Sequence, residues 1–115
     1  MSLIQVSQFN GKVPVTVFQL RERITVDNFA ELEKITKDSF DKGTRNLVID
    51  LRQTHTLSSI GVRGIVVIHK MLFAVHGNSL KLAGAQPHVQ EVLQIAGITQ
   101  FIELYGTVDE AVASF

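Results

Sequence analysis

The sequence predicts an α/β fold: a mixed β-sheet built in the order ββαβαβαβα, with helices packed against it as a single pair of layers. Three observations carry this. Leu47-Val48-Ile49-Asp50-Leu51 is a short, nearly continuous apolar run, the pattern of a strand covered on both faces, hence central and parallel. Stretches of helical period stand on either side of it, near Thr25 to Gly43, Ser59 to His76 and Pro87 to Gly97. The joints between them are short, which keeps sequence neighbours adjacent in space.

Taken in order, Leu3 to Phe9 alternates weakly and meets the β-branched run Val13 to Phe18 across Asn10-Gly11, a hairpin signal. Pro14 cannot donate to a ladder, which places it at a strand start or on an edge. Phe29, Leu32, Thr36 and Phe40 then share one helical face, with Glu31, Glu33, Lys34, Lys37 and Asp38 largely on the other. Thr25 is the expected N-cap of that helix and Gly43 its stop. The helix from Ser59 carries Ile65, Ile68, Leu72 and Val75 on one stripe, yet Val62, Val66 and Phe73 are also apolar, so it is either covered all round or presents a sticky face. His76-Gly77-Asn78 ends it, and Ser79 to Gly84 returns as a strand. Pro87 suits the first position of a helix through Val89, Val92, Leu93 and Ala96, closed by Gly97. Phe101 to Leu104 reads as a last strand, and Thr107-Val108-Asp109-Glu110 as a capping box opening a terminal helix.

The totals narrow the function. The 115 residues suit one domain, 1–115; they are 45% apolar and 19% charged, with 11 basic and 11 acidic side chains, so no bulk field favours nucleic acid or a membrane surface. The absence of cysteine excludes a disulfide framework and thiolate metal sites. Met1-Ser2-Leu3 opens no signal peptide, and no window approaches the ~18 apolar residues of a spanning helix, so the expected location is cytoplasmic. His55, His69, His76 and His88 show no ligand spacing, and neither a metal nor a cofactor is expected. No Gly-x-Ser-x-Gly elbow is present, and an enzyme is the least supported class.

The stretch that organises the chain is Leu57-Ser58-Ser59-Ile60-Gly61-Val62-Arg63-Gly64. It sets two hydroxyls where a helix begins, beside unsatisfied N–H groups and the positive end of the dipole, a natural seat for a phosphate. Capping is the plainer use of the same serines. Asp50, at the end of the central strand, is where an α/β sheet tends to place function, and equally where a carboxylate caps a loop.

The strand Leu47 to Leu51, followed after six residues by Ser58-Ser59-Ile60-Gly61-Val62-Arg63, resembles the signature of the STAS family, the sulfate transporter and anti-sigma factor antagonist domain. The family reads Asp-Ser-Ser-Gly-Leu or, closer to this chain, Ser-Ser-Ala-Gly-Leu-Arg. Glu22-Arg23-Ile24-Thr25 lies where the family has Gly-x-Leu-Asp. Pro87-His88-Val89 through Leu93-x-x-Ala96-Gly97-Ile98 looks like its third helix, and Glu110-Ala111 falls where a Glu-Ala pair commonly sits.

The resemblance implies a regulatory switch of the bacterial anti-sigma factor antagonist type, without catalysis of its own. Its phosphorylated hydroxyl falls on Ser59, its partners are an anti-sigma factor that is also a serine kinase and a serine phosphatase, and it is a monomer or weak dimer. The implied contact surface is Ser58, Ser59, Ile60, Gly61, Val62 and Arg63, with Thr25 and Asp50. Thr25 and Ser58 stand where the family has aspartates, which removes two carboxylates from the neighbourhood of a phosphate. Ile60 adds apolar bulk in place of a small residue. A second function class, the cytoplasmic STAS accessory subunit of a membrane transporter of the ABC lipid type, would use the same surface to brace an ATPase; a scaffold in a larger STAS assembly is a third.

Overall fold

The computed structural model describes the backbone of residues 3–76 and 79–115; the side chains of Val75 and His76 also lie outside the described set, as does the expected helix stop at Gly77-Asn78. The elements are β1 (Ile4–Asn10), β2 (Pro14–Leu20), α1 (Phe29–Asp41), β3 (Leu47–Asp50), α2 (Ser59–His76), β4 (Leu80–Ala83), α3 (Pro87–Ile95), a 3₁₀ turn (Ile98–Gln100), β5 (Glu103–Tyr105) and α4 (Val108–Ala113). Their order is the one the sequence predicts.

The five strands lie in one sheet in chain order. β1 runs antiparallel to β2, and the pairs β2–β3, β3–β4 and β4–β5 are parallel. The hairpin pairs Asn10 with Pro14, which leaves Gly11, Lys12 and Val13 as its loop and puts the proline at a strand start, where its missing N–H breaks no ladder. β3 is central, parallel on both sides and buried at every residue, as its apolar run requires.

Adjacent β3 residues feed two different cores, because successive side chains point to opposite faces of a sheet. Leu47 and Ile49 join Phe18, Leu32, Ile65, Leu82 and Leu93, the core under α1, α2 and α3. Val48 joins Val15, Val17, Ala83, Val108 and Ala111, the core under α4. The expected pair of layers therefore holds for the first three helices, and α4 adds a partial third layer on the opposite face.

Two element ends differ from expectation. α1 begins at Phe29, not directly after Thr25. Thr25 caps the turn before it: its Oγ1 accepts from the Asn28 N–H (3.3 Å) while Asn28 Oδ1 accepts from the Thr25 N–H (2.8 Å), the reciprocal logic of a capping box three residues early. The last strand starts at Glu103, because Phe101 and Ile102 close the 3₁₀ turn by donating to the Ile98 carbonyl (3.1 and 2.9 Å). That turn drops Ile98 and Ile102 into the main core. The terminal cap forms where expected: Thr107 Oγ1 accepts from the Glu110 N–H (3.1 Å) and donates to Glu110 Oε1 (3.0 Å).

Candidate partner-binding site at the start of α2

Two loops leave the same end of the sheet, 21–28 after β2 and 51–58 after β3, and they meet. Leu20, Glu22 and Ile24 line one small cleft with Thr54, Leu57, Ser58 and Gly61. Farther along, Arg63 sets its guanidinium over the Phe29 ring, 5.8 Å from the centroid, so the starts of α1 and α2 form one surface.

Ser59 is the first residue of α2 and its side chain is exposed. The first turn of α2 contains no acidic residue, and its N–H groups have no intrahelical acceptor until Val62, which donates to the Ser58 carbonyl (3.0 Å). An added anion on Ser59 would meet the positive end of an 18-residue helix and no resident carboxylate in that turn.

Ser58 behaves differently from the cap expected of it. Its Oγ is buried and makes no hydrogen bond, so the residue serves the helix through its carbonyl alone. Thr54 Oγ1, also without a partner, lines the same cleft. Gly61 is buried behind them, while Ile60 and Val62 are half-buried and pack their inner sides on the main core. Arg63 is exposed, and Thr25 is half-exposed at the neighbouring loop. Beside Thr25, Val26 is 81% exposed, an apolar contact that periodicity could not flag because it lies in a loop.

Asp50 does not join this surface. It is 1% exposed, on the α4 side of the sheet with Val48. Its carboxylate accepts from the Arg52 N–H (3.0 Å), Arg52 Nε (3.0 and 3.1 Å), Arg52 Nη2 (2.7 Å) and Gln19 Nε2 (3.1 Å). Of its two sequence readings, this is the loop-capping one. The hydrogen bond to Asp50, and then its charge, hold the Arg52 guanidinium above the ordinary arginine range.

The loop before Ser59 is tied down from α3. His88 Nε2 meets the His55 carbonyl, and Gln86 Nε2 lies 3.3 Å from His55 Nδ1. Sequence reading found His55 in the loop but not its tethers, which come from residues more than thirty positions away and leave no local signal. His69 sits farther along α2, its ring 5.5 Å from Phe73 and 5.1 Å from Phe101, and partial burial lowers its pKa below the usual histidine range. Among the described residues no cluster of His, Cys, Asp and Glu could hold a metal ion, and no helix is long and apolar enough to cross a membrane.

Comparison with known proteins agrees with this geometry. The STAS domain model matches residues 6–111. BtrV of Bordetella bronchiseptica, named as an anti-sigma factor antagonist, is 34% identical over 88 residues, covering 76% of this chain and 75% of that protein. An anti-sigma factor antagonist of Thermotoga maritima shares the fold at a TM-score of 0.84 and 19% identity, over 96% of this chain and 92% of that one. So does the Bacillus cell fate determinant SpoIIAA in its phosphorylated form, at a TM-score of 0.70 and 19% identity, over 96% and 97% of the two chains. From the strand-loop-helix carrying Ser58-Ser59 to the capped terminal helix, this chain belongs to the STAS domain family and is similar to its anti-sigma factor antagonists.

Proposed function

We propose that this chain is a cytoplasmic, phosphorylation-switched binding regulator of the anti-sigma factor antagonist type. With Ser59 unmodified it binds an anti-sigma factor that is also a serine kinase; phosphorylation of Ser59 releases that partner, and a serine phosphatase restores binding. The observation that carries the reading is the division of labour between the two serines: Ser58 is turned inward, whereas Ser59 is exposed at the first position of α2.

The contact surface is Ser59, the outer sides of Ile60 and Val62, Arg63 on Phe29, and the Thr25-Val26 loop. It combines a modest apolar patch with a polar rim. Phosphoserine adds nearly two negative charges and three acceptor oxygens. Inside this protein the helix N-terminus accommodates that charge, so the fold survives. At an interface, a desolvated dianion without a matching cation costs at least a few kcal/mol, and about 1.4 kcal/mol is tenfold in affinity. A switch of roughly a hundredfold therefore requires no conformational change.

The test uses immobilised wild type and Ser59→Asp, exposed to lysate of the native host, with retained proteins identified by mass spectrometry. Retention of a small ATP-binding serine kinase by wild type alone supports the reading. Retention of transporter subunits, or equal binding to both forms, overturns it in favour of a transporter accessory role and leaves Ser59 a helix start.

A further inference from the structure

At the other end of the sheet from Ser59, where β2 and β3 begin, a groove of about 570 Å³ opens between β1 and the C-terminal half of α1. That is the size of a small-molecule site. Val6, Pro14 and Ile35 supply its apolar wall. Its floor is a ladder of hydroxyls: Ser39 Oγ lies 2.5 Å from Thr44 Oγ1, Thr44 Oγ1 lies 3.1 Å from Thr16 Oγ1, and Thr16 Oγ1 donates to Gln8 Oε1 at 3.1 Å. Ser39, Thr44 and Thr16 are 8%, 7% and 4% exposed, so this is a built polar floor under an open groove.

The direction of the ladder follows from proton counting. Each hydroxyl has one proton. Thr16 spends its proton on Gln8, so it accepts from Thr44; Thr44 has then spent its own and accepts from Ser39. The floor consequently has oxygen lone pairs and no uncommitted hydroxyl proton to offer a ligand, and Gln8 adds its Nε2 amide at the end of the line. Lys42 and Arg45 stand at the lining with Asp38, and neither cation is in an ion pair among the described residues.

We propose that this groove binds a small polyhydroxylated anion of the sugar phosphate or hydroxycarboxylate class. Its hydroxyls donate to the Thr16 and Thr44 oxygens, its anionic group meets Lys42 and Arg45, and its carbon skeleton lies on Val6 and Ile35. A plain anion would leave the acceptor floor unmatched, and a neutral sugar would leave the two cations unmatched. The site does not depend on Ser59 or on any protein partner.

Amide correlation spectra of the isotope-labelled full chain test this, with four additions run separately: glucose 6-phosphate, gluconate, glucose and inorganic phosphate. Saturable shifts at the amides of Gln8, Thr16, Ser39 and Thr44 are expected with glucose 6-phosphate or gluconate, and whichever binds tighter identifies the anionic group as phosphate or carboxylate. Glucose and inorganic phosphate should bind at least about tenfold more weakly, the loss of one contact of about 1.4 kcal/mol. Lys42→Gln and Gln8→Ala, both at exposed positions, should each weaken binding by about tenfold. Inorganic phosphate binding as well as glucose 6-phosphate, unchanged affinity in both variants, or no saturable shift with either polyhydroxylated anion would overturn the proposal.

Discussion

Helix α2 passes α1 at Gly64, whose bare Cα lies against Leu32: a Cβ placed there would stand 2.7 Å from Leu32 Cδ2 and 3.3 Å from Ile24 Cδ1. This close approach sits one turn above Ser59 and beside the Arg63 contact with Phe29. It sets the spacing at which the two helix starts share a surface.

Leu32 is fully buried and cannot swing away, so Gly64→Ala should cost about 1 to 2 kcal/mol of stability, the overpacking penalty less the gain in helix propensity. Gly61→Ala is the control. Its Cβ would also fall 2.7 Å from a leucine methyl, but Leu57 is only half-buried and lies in a loop that can yield. That variant should change stability by less than about 1 kcal/mol in either direction. Urea unfolding of both measures the contrast, and equal losses would remove the Leu32 argument.

Removing the Ser58 hydroxyl should be nearly free. A serine whose oxygen caps a helix costs about 1 kcal/mol on truncation to alanine, whereas an oxygen buried without a partner contributes no bond to lose. Ser58→Ala should therefore match or slightly exceed wild type in a thermal melt. A drop of several degrees would restore the capping role.

Asp50→Asn should destabilise the chain by about 2 kcal/mol, because the buried carboxylate is replaced by an amide whose NH₂ faces the Arg52 donors. Unfolding midpoints in denaturant would show this. A neutral outcome would mean that Asp50 is free for another task.

Acid should weaken the fold partly through His69. Its folded pKa lies below the ordinary 6.5, so the folded state favours the neutral ring and the unfolded chain takes up the proton first. The histidine contribution is complete above about pH 6.5 and is lost as the pH falls from there through the lower folded value. His69→Phe, which keeps a ring between Phe73 and Phe101, should flatten that part of the stability curve. Parallel curves for the two proteins between pH 7 and 5 would count against burial as the cause.

The order of elements, the central parallel strand, the stop of α3 and the terminal cap were all legible in the sequence. Each depends on residues near one another in the chain: apolar runs, helical stripes, a glycine after the last turn, a threonine three residues before a glutamate. The STAS signature at Ser58-Ser59 was legible for the same reason. Phe101-Ile102 misled because an apolar pair has no period of its own, and only the fall of Ile98 and Ile102 into the core decides for a 3₁₀ turn.

What tertiary structure decided is which way side chains turn. Sequence alone set Ser58, Ser59 and Asp50 within ten residues of one another, with Ser59 as the phosphosite the resemblance implies, Ser58 as a cap, and Asp50 open between a functional and a loop-capping role. The sheet sends Asp50 to the α4 face and satisfies it with Arg52 and Gln19, while the β2–α1 loop closes over Ser58 and leaves Ser59 outside. Likewise Gln8, Thr16, Ser39 and Thr44, unremarkable in sequence, become one hydrogen-bonded floor. Local chemistry determines the elements, because propensity, caps and periodicity act over a few residues; a site forms from contacts between residues distant in the chain, and those exist only once the sheet has closed.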